Sequence, residues 1–423
     1  MGNRTIVQPD SPAADPKRRR ASIRTWLWVL GPGLVVMLAD TEAGSIITAA
    51  QSGAQWGYRL LGLQLLLIPI LFIAQELTLR LGIATGRGYA ELIRDRFGVG
   101  WAWLSVSALM VACIGALVTE LSGLAGVGLL FGVPTAVTVP AAVLLMLAIV
   151  WSGSYGSVER VALAIGAFEL AFVAVAWQAH PDLGDLARGS VSIPLSDSSY
   201  LYLAAANIGA VVMPWMIFFQ QSAVADKGLR REDLGRGRLG TALGALTTQL
   251  IMCAILVAAA ATIGSSSDHG ALDSVQHISA TMTPYLGRTA GRVLFALGVS
   301  GGALLGAIVV SMTAAWGLGE AAGYKRSLEH RPRQAPWFYG VYTAGLLLGA
   351  GVILAGANLV KVAVAVEVLN ALLLPNVLGF LFLLAIKALP EPYRLGRAYS
   401  VLVGLTLATT SVFGVYAALI GIF

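Results

Sequence analysis

Asp40 and Glu42 stand in the stretch ADTEAGS, inside a run that is otherwise apolar from Trp26 to Ala50. A carboxylate placed in hydrocarbon is costly, so in a membrane span it faces a cavity or a partner and is a functional candidate by default. A third acid, Glu367, lies in another apolar run. Apart from Lys361 near the outer end of that run, no Lys or Arg shares a span with Glu42 or Glu367. A divalent cation would neutralise both carboxylates. Thiolate chemistry is not expected, since Cys113 and Cys253 are the only cysteines and both sit in apolar runs. His180, His269, His277 and His330 all fall between the runs. No His-x-x-x-His, Gly-x-Ser-x-Gly or phosphate-cradling loop occurs in a suitable context, so no enzyme is expected.

The elements that must position these acids are membrane helices. The chain is 57% hydrophobic and 12% charged, with a mean hydropathy of +0.78, far from the composition of a soluble domain. Eleven apolar runs, each long enough to cross the bilayer as helix, are placed at about 26–50, 59–82, 99–123, 134–152, 159–178, 197–224, 240–263, 292–318, 336–356, 361–386 and 398–422. With the N-terminus cytoplasmic, the inner segments hold 23 of the 28 Lys and Arg residues, as the positive-inside bias requires. An odd number of spans then puts the C-terminus outside. The expected place is the cell membrane, as a multi-pass protein. The net charge of +6 is largely topology, and no nucleic-acid partner is expected. Residues 1–25, with Pro9, Pro12, Pro16 and the run KRRR, read as a disordered basic cytoplasmic tail that fixes orientation, contact with anionic headgroups being the alternative. Residues 26–423 read as one transmembrane domain.

ADTEAGS also looks like a helix interruption. Unpaired backbone in hydrocarbon costs several kcal/mol, so a break at mid-depth persists only where protein or a water-filled cavity surrounds it. A counterpart lies in the sixth span, where Gly209 and Pro214 bracket a short stretch of NIGAVVMPWMIFFQQ; the proline would free carbonyls near Ala210. Spans one and six are five apart and cross in opposite directions. This is the pattern of two inverted five-helix repeats, about 26–178 and 197–386, with an extra helix at about 398–422, and it places a substrate at mid-membrane between the two breaks.

With these motifs the sequence resembles the Nramp family of divalent metal transporters, from GPGLVVMLADTEAGSIITAAQSGAQWGYRLL through the tenth run. AQSGAQWGY, RLGIATGRGYAELIRDRFG, LLFGVP, GAVVMP and NALLLP carry the likeness. The resemblance implies an all-α polytopic membrane protein with the LeuT-like (APC superfamily) fold. The family's first broken helix carries Asp-Pro-Gly-Asn, whose Asp and Asn bind the metal, and its sixth offers a Met beside a backbone carbonyl. An ungapped overlay puts Glu42 at the Asp, Ala43 at the Pro and Ser45 at the Asn, with Met213 and Ala210 on the thioether and carbonyl positions and Glu367 where the tenth helix offers a polar ligand. Asp40 competes with Glu42, because a slip of two residues at the unwinding exchanges them. Met213 could instead be packing, and Ser45 could bond a carbonyl of its own helix.

The departures from the family pattern bear on coupling. Where relatives carry proton-pathway histidines on helix six this chain has Trp215 and Gln220, and where they carry acids on helix three it has Ala116 and Thr119, with Glu120 one position away. Weak or rerouted proton coupling is therefore expected. Glu76 and Glu169 read as structural or vestibule acids, and Glu320 as a gate or loop contact. The function expected is a secondary transporter of divalent cations of the Mn²⁺ or Mg²⁺ class, working by alternating access as a monomer. It needs no cofactor, the metal being cargo. The alternative is a carrier of the same architecture for a small organic solute such as an amino acid or amine, in which Glu42 would pair an ammonium.

Overall fold

The computed structural model describes residues 33, 35–151, 167–262, 272, 274–279, 287–323 and 336–423. The tail over 1–25, the start of the first and fifth spans, Arg160, His269, His330 and the basic segment Lys325 to Arg333 lie outside the described residues. The helices are α1 (35–40), α2 (Ala43–Trp56), α3 (Leu61–Thr85), α4 (Tyr89–Phe97), α5 (Val99–Leu130), α6 (Thr135–Trp151), α7 (Ala171–Gln178, preceded by a 3₁₀ turn Ala167–Leu170), α8 (Leu183–Ser190), α9 (Ser198–Val211), α10 (Pro214–Asp226), α11 (Leu234–Thr262), α12 (Arg288–Ala322), α13 (Pro336–Leu354), α14 (Leu359–Lys387) and α15 (Arg397–Ile422). Apart from breaks in the first and sixth and a few end residues, helix occupies the described part of each expected span. α5 runs about two turns further than its apolar run suggested.

Both expected breaks are present. The first falls at Thr41 and Glu42, between α1 and α2, with Glu42 extended at φ −76° and ψ 172°. The second is narrower than Gly209 to Pro214. Gly209 and Ala210 remain helical in α9, and the chain leaves the helix only at Val212 and Met213. The cause is Pro214. It sits in the first turn of α10, where its missing N–H costs nothing, and it holds Met213 extended at φ −82° and ψ 141°. Gly209 serves packing: a Cβ there would collide with the Glu367 carbonyl and lie 2.8 Å from the Ala371 nitrogen, so glycine lets the backbones of α9 and α14 meet.

The broken helices are central. Every residue of α2 from Ala43 to Ala54 is buried, and α2 packs on α5, α9, α11, α12 and α14. α9 packs on α14 and α15, while α5 packs along α12. Outer helices such as α15 turn Leu402, Leu405 and Val412 outward, as a lipid-facing surface requires.

One segment differs from expectation. Arg80 to Arg96 reads in sequence as a solvated positive-inside loop, with lipid contact or an inner gate as the alternatives, but its second half is α4, docked through buried Tyr89, Ala90, Leu92 and Ile93. Glu320 of α12 accepts the Ala90 and Glu91 N–H groups at 3.0 and 3.3 Å, and takes the Ser222 hydroxyl at 2.6 Å. A carboxylate at a helix N-terminus satisfies orphan donors and opposes the helix dipole. Nearby, Glu76 receives Arg80 and Arg238, each at 2.7 Å. At the opposite end of α2 a cavity of about 440 Å³ is lined by Gln51, Ser198, Tyr202, Asn358 and Lys361 among others.

Candidate metal site

The chemistry gathers where α1 gives way to α2. Glu42, the last residue before α2, brings its carboxyl against those of Glu120 from α5 and Glu367 from α14. All three are fully buried. Their common neighbour is Gly44. A Cβ at that position would meet Glu367 Oε1, lie 2.8 Å from Glu42 Oε1 and stand 3.3 Å from the Thr119 hydroxyl. Glu42 Oε1 and Glu367 Oε1 therefore converge over a glycine, and neither accepts a hydrogen bond. Glu367 Oε2 takes the Asn370 amide at 2.9 Å, which orients that carboxylate.

Glu120 does something different with its second oxygen. Its Oε2 accepts the Ala43 N–H at 3.3 Å, so a side chain from α5 caps α2 across the membrane interior. Glu169, in the 3₁₀ turn before α7, receives the Thr41 hydroxyl. Asp40 is buried at the end of α1 with Oδ1 unpartnered. Among the described residues no Lys, Arg or His pairs with Asp40, Glu42, Glu120, Glu169 or Glu367. Nor do three Asp, Glu, His or Cys side chains converge there as a ready coordination shell. The carboxylates meet in pairs through Glu42, and any ion held there must draw further ligands from hydroxyls, carbonyls, sulfur or water.

Those groups lie on the second break. Ser45 donates its hydroxyl to the Ala210 carbonyl at 3.2 Å, joining the two broken helices directly. The bond runs across the breaks and not within Ser45's own helix. Met213 is fully buried in the break, and its sulfur accepts the Trp215 indole N–H at 3.0 Å. The thioether is thus held in place with one lone pair engaged. Asn207 ties α9 to α2 further along, donating to Ser52 Oγ at 2.7 Å.

The family model described as "Natural resistance-associated macrophage protein-like" matches residues 33–419. The chain belongs to that family. Two similar relatives are named divalent metal cation transporter MntH: one from Yersinia pestis (strain Pestoides F), 30% identical over 69% of this chain and 74% of its own length, and one from Brucella suis biovar 1 (strain 1330), 27% identical over 66% and 64%. This chain thus matches somewhat less than two thirds of the Brucella protein. A crystal structure of the Eremococcus coleocola manganese transporter superposes with a TM-score of 0.75 at 18% identity, over 95% of this chain and 87% of that one. The amino-acid-bound MhsT superposes at 0.60 and 16% identity, over 93% and 98%. Those likenesses establish the LeuT-like fold: an all-helical, multi-pass membrane protein.

The residues that the resemblance sets at the family's proton-pathway positions pack and hydrogen-bond in this chain. Trp215 is buried against Met213, Gln220 donates to Thr241 at 3.3 Å, and Thr119 bonds its own helix at the Ala116 carbonyl, 2.8 Å away, while standing 3.5 Å from Glu42 Oε2. The fold brings to the break two carboxylates outside the ligand set that the resemblance implies. Glu120 was one position from the matching site on α5, and Glu169 read as a structural or vestibule acid. The available signal was that both are acids inside apolar runs, Glu120 with no Lys or Arg in its run and Glu169 with only Arg160 at the start of its own.

Proposed function

We propose that this protein is a secondary transporter of divalent metal cations that binds its cargo between the two helix breaks. The observation that carries the proposal is the convergence of Glu42 Oε1 and Glu367 Oε1 over Gly44, both buried and unpartnered, with no basic residue among the described ones to neutralise them. Two carboxylates match a doubly charged ion. Ser45, the Ala210 carbonyl and Met213 complete the proposed set, and Asp40, at the end of α1, competes with Glu42 or adds charge nearby. Ser45 already touches Ala210, so both can turn toward an ion with small movements. To use Met213 the ion must approach the lone pair that Trp215 leaves free.

Oxygen-rich coordination suits Mg²⁺ and Mn²⁺, and a thioether ligand tilts the balance toward the transition metal. The names of the relatives support divalent metals as a class. Alternating access would move helices around this fixed point. With Trp215 and Gln220 where family members carry histidines, coupling to protons is weak. The reading further places a monomer in the cell membrane with its N-terminus cytoplasmic and its C-terminus outside.

The test is isothermal titration of purified protein with Mn²⁺ and Mg²⁺, paired with uptake into proteoliposomes that carry a pH-sensitive dye. Saturable Mn²⁺ binding that Glu42→Gln and Glu367→Gln each abolish, with uptake that leaves internal pH unchanged, is expected. Binding that survives both substitutions removes the site. Absence of any metal binding, with binding of an amine or amino acid instead, replaces the metal by an organic solute.

A further inference from the structure

A second group of oxygens faces a different spot from the Glu42 and Glu367 pair. Glu169 is fully buried in the turn before α7, and its Oε1 accepts nothing. The Thr41 carbonyl lies at the helix break, and no backbone N–H donates to it among the described residues. Both oxygens approach one point on α12. A Cβ at Gly302 would collide with the Thr41 carbonyl and stand 3.1 Å from Glu169 Oε1. Glycine at 302 leaves room where any other residue would fill the space between them.

The hydrogen count there is incomplete. The Thr41 hydroxyl lies 2.8 Å from the Leu38 carbonyl and also contacts Glu169 Oε2, yet it carries a single hydrogen for two acceptors. Leu38 and Thr41 stand at the C-terminal end of α1, where the last carbonyls have no intrahelical donors and the helix dipole is negative. One of these carbonyls, that of Met37, is already served by Thr248 at 2.8 Å. A carboxylate, a shared hydroxyl, the unserved Thr41 carbonyl and the Leu38 carbonyl, which shares that hydroxyl's one hydrogen, form a concentration of acceptors at the negative end of a half-helix. The nearby titratable residue, Asp40, adds to it. None of the described Lys, Arg or His residues answers it.

We propose that Glu169, the hydroxyl and carbonyl of Thr41 and the Leu38 carbonyl form a second cation site, separate from the metal site, that takes a small alkali cation such as Na⁺. One carboxylate matches one positive charge, and hard neutral oxygens suit an alkali ion. Unwound carbonyls and half-helix C-termini are the groups that coordinate coupling ions in carriers with broken helices. The site spans α1, the turn before α7, and α12. An ion there would tie the first half-helix to its neighbours while the cargo sits on the other side of the break. Its part in coupling rests on the transporter reading above; the binding of the ion does not.

The experiment is the unfolding temperature of the full chain in detergent, titrated with NaCl against choline chloride at constant ionic strength, and separately with MnCl₂. The wild type should show a saturable rise with Na⁺ that choline does not reproduce. Glu169→Gln and Thr41→Val should each weaken the apparent Na⁺ affinity by about tenfold or more, and Glu42→Gln should leave the Na⁺ response intact while losing the Mn²⁺ response. A retained Mn²⁺ response in Glu169→Gln shows that the variant is folded. No Na⁺ response in the wild type overturns the site, as does a response that both Glu169→Gln and Thr41→Val keep. A response to pH alone, without Na⁺, also overturns it, since the group then holds a proton. Na⁺ binding without any metal response leaves the second site standing and removes the metal reading instead.

Discussion

Replacing Gly44 with alanine should separate stability from metal affinity. Gly44 lies in the first turn of α2, and Ala is a better helix former than Gly by about 0.8 to 1 kcal/mol. The new methyl, however, enters the space between the carboxylates. Glu42 Oε1 is 2.8 Å from its position and Glu367 Oε1 is closer still. Ordinary contact begins near 3.4 Å, so Glu42 must withdraw by about 0.6 Å and Glu367 by more. Both are the far ends of flexible side chains, and the helix need not move. For a divalent ion, drawing one carboxylate back that far forfeits about 3 kcal/mol of attraction at an effective dielectric near 20. Water entering the shell offsets part of this. A net loss on the order of 2 kcal/mol, roughly 30-fold in affinity, is expected. Calorimetric titration with Mn²⁺ and thermal unfolding without metal, on the same preparation, read the two quantities. Unchanged Mn²⁺ affinity with unchanged unfolding would refute the placement of cargo over Gly44. Severe destabilisation without metal would show that Gly44 serves helix packing.

Four further outcomes follow from the same geometry. Met213→Ala should weaken Mn²⁺ binding more than Mg²⁺ binding, and equal losses in paired titrations would reduce the sulfur to packing under Trp215. Gly209→Ala should cost at least about 1 to 3 kcal/mol through overpacking against the Glu367 carbonyl, measured as a lower unfolding temperature; a neutral result would contradict the close approach of α9 and α14. Arg80→Ala leaves buried Glu76 with only half-exposed Arg238, and should destabilise by about 3 kcal/mol, more than Arg238→Ala does in the same unfolding assay. Asp197, exposed at the N-cap that precedes α9, is held below the usual carboxylate range by the Ser199 hydroxyl first and then by the Tyr200 and Ser199 N–H groups. A depressed carboxylate stabilises above its unfolded pKa and loses that stability as pH falls through its folded value. Unfolding temperatures of wild type and Asp197→Ala should therefore differ at neutral pH and converge in acid, and a gap that persists in acid would assign the effect to packing.

Where the described helices run, and roughly where the two breaks fall, was legible in the sequence because both depend on local, one-dimensional rules. A bilayer demands about twenty apolar residues, and Asp40 with Glu42, or Met213 with Pro214, cannot continue an ordinary helix there without a reason. The pairing of the two breaks was also legible, since an odd spacing sets opposite crossing directions whatever the packing. The faces were not. Successive helical residues point about 100° apart, so placing Glu120 one residue from an aligned position amounts to facing it elsewhere. Only the approach of α2's first N–H group to α5 brings Glu120 to Ala43 and Glu42. Likewise, the composition of the fifth span gives no sign that Glu169 meets Thr41, because that contact joins residues 128 apart. Gly209 was legible as an irregularity, but its cause was not, since a glycine needed for backbone approach and one needed for a break look alike until the neighbouring helix is present. Local backbone chemistry thus determined where the helices run and where they stop. Which carboxylates share one buried space was decided by the rotation and contact of helices distant in the chain.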